Sequence, residues 1–240
     1  MVQMKMLMKN FVTKRYKKFS QRKFSNKSFF GGIIAYVVLL GTIVIGRWSG
    51  NQDNFFNQTM ERFLNIQILG IFIMIGSIAI GYFLFKLKAM KKFAVLICYF
   101  SGVLYLFFIG AFLACLTEDP FRLYFYGCIF VLLGWLIGIL LQIVLVKISL
   151  RRGSMKIRDD FGDYYVNTIS AVGILFFLYS EISGNDLSFY IGVSLAFSAL
   201  LIVATFNFPR ILPYWRKEDT KKDVSVYGNT TKMMKRGKSK

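Results

Sequence analysis

The chain has 240 residues, 55% of them hydrophobic and 18% charged, with 31 Lys and Arg against 12 Asp and Glu and no His. Soluble domains carry more charge than this. The lack of imidazole excludes a Ser-His-Asp triad and removes the commonest metal ligand, while a net charge of +19 favours contact with anionic surfaces.

The chain opens with a basic arm, residues 1–28, holding nine Lys and Arg and no acid. Lys14-Arg15-Tyr16-Lys17-Lys18 and Arg22-Lys23 alternate with Phe11, Phe19 and Phe24. This pattern reads as topogenic charge lying against anionic lipid, where each basic residue is worth about 1 kcal/mol. It contains no nucleic-acid-binding module, so no nucleic-acid partner is expected.

Six apolar stretches follow: Phe29–Gly46, Phe63–Phe85, Phe93–Leu116, Leu123–Val146, Tyr165–Ile182 and Leu187–Phe208. Roughly 20 helical residues cross a hydrocarbon core about 30 Å thick, and each stretch has about that length. They are apolar all round, whereas a soluble core helix needs only one apolar stripe. The predicted fold is all-α: a polytopic bundle of six transmembrane helices over residues 29–208. The first stretch lacks a small-x-small cleavage site after Gly46 and reads as a retained helix. The fifth is the weakest, with Asn167, Thr168 and Ser170 near its start and Glu181 near its end.

If all six cross, the arm, residues 86–92, residues 147–163 and residues 210–240 share one side. That side holds 28 basic and six acidic residues; the other holds three basic and six acidic. Basic residues of short connections stay in the cytoplasm, so both termini are predicted inside a bacterial cytoplasmic membrane. The tail, 209–240, is basic and poor in apolar residues beyond Trp215, a composition that predicts disorder. Tyr214 and Trp215 suit an interfacial aromatic belt.

The polar residues inside the spans include Asn65, Gln67, Gln142 and Asn167, with no charged group near a mid-span position. Proton-coupled pumps and many channels use such a group. Gln142 and Asn65 could line a permeation path, but interhelical hydrogen bonding is the plainer reading. Gly134 and Gly138 form a Gly-xxx-Gly pair with Gly127 on roughly the same face, a surface for close helix packing. Cys98, Cys115 and Cys128 lack any metal-ligand spacing and read as apolar thiols. Asp159-Asp160-Phe161-Gly162-Asp163 reads as helix capping and charge balance against Arg151, Arg152 and Arg158 rather than as a metal site. No cofactor and no catalytic residue is expected.

Outside, the connections are short. Their acidic residues, Asp53, Glu61, Glu118, Asp119, Glu181 and Asp186, form the candidate surface for a protein partner.

From Ser28 to about Arg152 the chain resembles the Gram-positive tandem five-transmembrane family of small membrane proteins. The residues concerned are Phe29-Phe30-Gly31 and Gly46-Arg47 at the ends of the first span, Lys86-Leu87-Lys88, Gly110-Ala111-Phe112, and the acidic turn Glu118-Asp119. Some members of that family are immunity proteins against a membrane-depolarising toxin of the type VII secretion system. The resemblance therefore implies a non-enzymatic interaction protein whose partner is a membrane-inserted toxin. It transfers no site residue. The alternative from topology alone is a six-span permease subunit with a separate ATPase as partner, and Ser149–Asp163 is the only segment for its coupling helix.

Overall fold

The computed structural model describes residues 10–52, 56–117 and 119–215. Asp53, Glu118 and the tail beyond Trp215 lie outside the described residues. A short helix α1, Lys14–Ser20, precedes six long ones: α2 (Asn26–Gln52), α3 (Gln58–Lys86), α4 (Lys91–Ala114), α5 (Pro120–Arg152), α6 (Lys156–Ser183) and α7 (Asp186–Asn207). A last turn, α8, covers Leu212–Trp215, and no strand occurs among the described residues. All six long helices are long and apolar enough to cross a membrane. Their outer faces carry large exposed aliphatics such as Ile34, Val38, Leu69, Ile73, Leu136 and Leu140. Water would not tolerate so continuous an apolar belt, whereas lipid is its natural solvent.

The helices outrun the apolar stretches that predict them. The fourth stretch ends at Val146, yet α5 continues to Arg152 and reaches 33 residues, about 50 Å. Nothing in Lys147–Arg152 breaks a helix, and Arg151 and Arg152 in the last turn suit its negative end. Gly153 stops it in the left-handed conformation at φ 67°, and α6 begins three residues later. The other turns are capped locally. Asn57 accepts from Met60 N at 2.8 Å, Asp119 from Arg122 N at 3.4 Å beside Pro120, and Asn185 from Leu187 N at 2.9 Å. Gly184, φ 64°, closes α6.

The bundle is two three-helix halves. In the first, Phe29, Tyr36 and Ile43 of α2 recur every seven residues, as do Leu64, Ile71 and Ile78 of α3, and all six are almost wholly buried. This repeat keeps one stripe of each helix on its neighbour. Helix α4 completes that half with Ala94, Ala111 and Ala114. In the second, α7 packs between α5 and α6. The halves meet where α4 touches α5 and α7. There Tyr190 of α7, 3% exposed, enters the core of the first half and donates to Gly110 O.

The basic arm is docked against the bundle, while its Lys and Arg side chains from Lys14 to Lys23 stay exposed. Residues 10–20 pack beneath the second half, and Phe24 reaches the base of the first, where it joins Val95 and Ile211. The Tyr16 ring stacks on Phe206 at 5.3 Å, and Phe11 approaches the same ring at 5.7 Å. The arm therefore straps both halves at one end of the bundle, called the arm end below.

Candidate functional site

At the arm end polar groups tie the arm to the bundle, while Gln142 Oε1 and the hydroxyls of Thr13 and Ser149 are buried without a hydrogen-bond partner among the described residues. Gln142, 2% exposed, donates from Nε2 to Phe11 O at 2.8 Å. The amide predicted to join helices thus fastens the arm. Arg158 is buried and donates from one terminal nitrogen to Asn10 O at 2.9 Å and from Nε to Asp159 Oδ1 at 3.1 Å. The same Asp159 oxygen accepts from Lys14 N at 2.8 Å, which caps α1 from a helix 145 residues away in sequence. Arg15 pairs with Asp163 at 3.2 Å. Burial raises the Tyr16 phenol above its usual pKa, against the opposing pull of Arg15. Of the acidic cluster 159–163, two carboxylates are therefore committed to the arm, and Arg158 rather than Arg151 or Arg152 is the arginine engaged. Nearby, Tyr214 bonds both main-chain groups of Phe24, and Arg210 donates to Arg22 O at 2.9 Å. Trp215 lies exposed beneath the Lys92 ammonium, 5.4 Å from its ring centroid.

At the opposite end, Glu61, Asp119, Glu181 and Asp186 stand near the helix termini. Three have local duties. Glu61 lies in the first turn of α3 and faces Arg47 at 3.5 Å, and Arg47 also donates to Asn65 at 2.9 Å. Asp119 caps α5, and Asp186 opens α7 in its first turn. Each places negative charge at a positive helix end, worth about 0.3–1 kcal/mol. Glu181 is different. It is exposed in the last turn of α6, where the helix dipole opposes a negative charge, and it makes no ion pair among the described residues.

The glycine face of α5 is turned inward. A Cβ on Gly127 would strike Tyr190, one on Gly134 would meet Ser198 Oγ at 2.7 Å, and one on Gly138 would strike Ile202 and Tyr165. All three glycines are buried and serve packing within the chain. Close approach of this kind is how membrane helices gain dispersion contact where lipid supplies no hydrophobic driving force.

A second close approach was not read from the sequence. Gly173 of α6 and Gly192 of α7 are both buried and face each other. A Cβ on Gly173 would lie 2.7 Å from Gly192 O, and one on Gly192 would lie 2.6 Å from Gly173 O. The signal was present on α7 as Ser188, Gly192 and Ala196, small residues four apart.

Side-chain donors join the helices through main-chain carbonyls. Tyr36 donates to Ser101 O, Gln67 to Phe108 O, Tyr99 to Ala204 O and Tyr165 to Gly134 O, at 2.6–2.8 Å. A helical carbonyl keeps a lone pair free for such a bond. The Cys115 thiol lies 3.4 Å from Ala111 O of its own helix and 3.8 Å from Gln67 Oε1, and the three cysteines are unbridged. Among the described residues no three His, Cys, Asp or Glu converge on a metal position. No family model matches the chain, and neither does any curated protein or solved structure.

Proposed function

We propose that this chain is a non-enzymatic, multi-pass protein of a bacterial cytoplasmic membrane with both termini inside. It works by binding a membrane-inserted protein partner. In its sharpest form it is an immunity factor against a secreted, membrane-depolarising toxin, the role implied by the family resemblance. The observation that carries the reading is the use of the inward polar groups. Gln67, Gln142, Tyr36, Tyr99 and Tyr190 each fasten the chain to itself through a main-chain carbonyl. The bundle is a fastened scaffold, and recognition falls to its surface. A permease subunit needs a coupling helix, but Ser149–Asp163 forms the end of α5, a tight turn and the start of α6. That arrangement favours the interaction reading.

The orientation is testable by itself. Reporters fused after Lys88, Arg152 and Lys217 should report cytoplasm, and those near Asn54, Asp119 and Asn185 the outside. A carboxy-terminal reporter active only outside the cell would overturn it.

For the partner, cells expressing the full chain are challenged with a depolarising type VII toxin and read with a potential-sensitive dye. Amide substitutions at Asp119, Glu181 and Asp186 should lower protection on the order of tenfold while membrane insertion is unchanged. Asn at position 119 still caps α5, so stability is kept. Deletion from Lys221 onward should leave protection intact. If the deletion abolishes protection and the amides do nothing, the partner is cytoplasmic and the permease reading takes over.

A further inference from the structure

Helix α6 is the least buried of the six spans, and its outer face is not uniformly apolar. Tyr164, Asn167, Ala171, Ile174 and Leu178 are all exposed. They follow one another at alternating steps of three and four, the spacing of a left-handed helix-pair seam. Asn167 is the anomaly in this stripe. Several exposed or half-exposed polar side chains of the other spans bond their own helix, whereas Thr168, beside Asn167 but off the stripe, is also exposed without a bond among the described residues. Thr42 donates to Val38 O at 3.0 Å, Ser77 to Ile73 O at 2.8 Å and Asn207 to Val203 O at 3.1 Å. Asn167 makes no hydrogen bond among the described residues. It lies 16 residues, about 24 Å, from Ser183 at the far end of α6, so it sits roughly one turn inside the hydrocarbon. An amide bare to lipid at that depth is costly.

We propose that α6 is the interface of a parallel homodimer, with Asn167 of one copy paired to Asn167 of the other. The occupant is a second copy because the group is self-complementary. A carboxamide carries both a donor and an acceptor, and two-fold symmetry places identical residues opposite each other, so each amide satisfies its twin. A single Asn at such a position fixes register in helix pairs. The remaining contacts suit it: Ala171 permits close approach one turn away, and Ile174 and Leu178 extend the seam. The glycine face of α5 is already occupied by α7, so it does not compete for this role.

The test uses the full chain in liposomes of neutral phospholipid, labelled for energy transfer and diluted progressively in lipid. Asn167→Leu should weaken dimerisation about tenfold, and Asn167→Gln should retain most of it. The Asn167 side chain is exposed and makes no bond that either change could break, so folding is not at risk. In a second arm, Ala171→Cys and Ile174→Cys should cross-link between copies under oxidation, and the off-seam Val172→Cys should not. A monomer at every lipid dilution overturns the proposal. So does a dimer indifferent to Asn167→Leu, cross-linking only off the seam, or a different protein cross-linked at Ala171→Cys in cell membranes.

Discussion

Gly173→Ala should destabilise the bundle by about 1–3 kcal/mol, and Gly173→Leu should release α6 from α7 altogether. The reason is geometric. Within its apolar stretch, Gly173 and Ser180 are the only buried positions of α6 among the described residues. The new methyl would lie 2.7 Å from the main-chain oxygen of Gly192 and 3.4 Å from Ala196 N. Backbone on both sides cannot move like a flexible side chain, so the helices must part and lose dispersion contact along their crossing. Gly76→Ala is the paired measurement. It has no neighbouring atom within 4 Å, so it should gain a few tenths of a kcal/mol from helix propensity alone. Thermal unfolding in detergent reads both. Opposite signs are expected, and equal shifts would show that Gly173 is not a contact point.

Tyr190→Ala should be costlier still, about 3–5 kcal/mol, because it removes an aromatic ring from the joint between the halves. The ring lies against Gly127 and the hydroxyl bonds Gly110 O, so one side chain touches α5 and α4 from α7. Tyr190→Phe keeps the ring and loses one neutral hydrogen bond, about 1 kcal/mol. Gly110 O remains an acceptor within its own helix, which keeps the smaller figure small. Unfolding titrated with a denaturing detergent should rank wild type, Phe and Ala in that order, with Ala well separated. A Phe variant as damaged as Ala would shift the weight from packing to the hydroxyl.

Hydropathy made the six spans legible because lipid demands about 20 apolar residues in a row and little else. It placed the ends poorly. Once Lys147 leaves the hydrocarbon, water permits helix and loop alike, and the choice falls to Gly153. The Gly127, Gly134 and Gly138 face was visible as a spacing on one helix. The Gly173–Gly192 contact joins two helices, and neither glycine has a second glycine four residues away. The docked arm was least legible. Its charges read as lipid contact and stay exposed, while the main-chain atoms of Lys14, Phe11 and Asn10 bond Asp159, Gln142 and Arg158, pairs 131 or more residues apart in sequence. No local composition encodes such pairs. Likewise the acids at the opposite end could be enumerated, but not divided into those that serve helix ends and Glu181, which does not.

The strap across the arm end also orders biogenesis. Residues 10–24 leave the ribosome before any span, but Gln142, Arg158 and Phe206 emerge only with the fourth, fifth and sixth. The first segment synthesised is thus the last to find its place. Docking then follows insertion of Phe206 and turns a string of separately inserted spans into one locked unit.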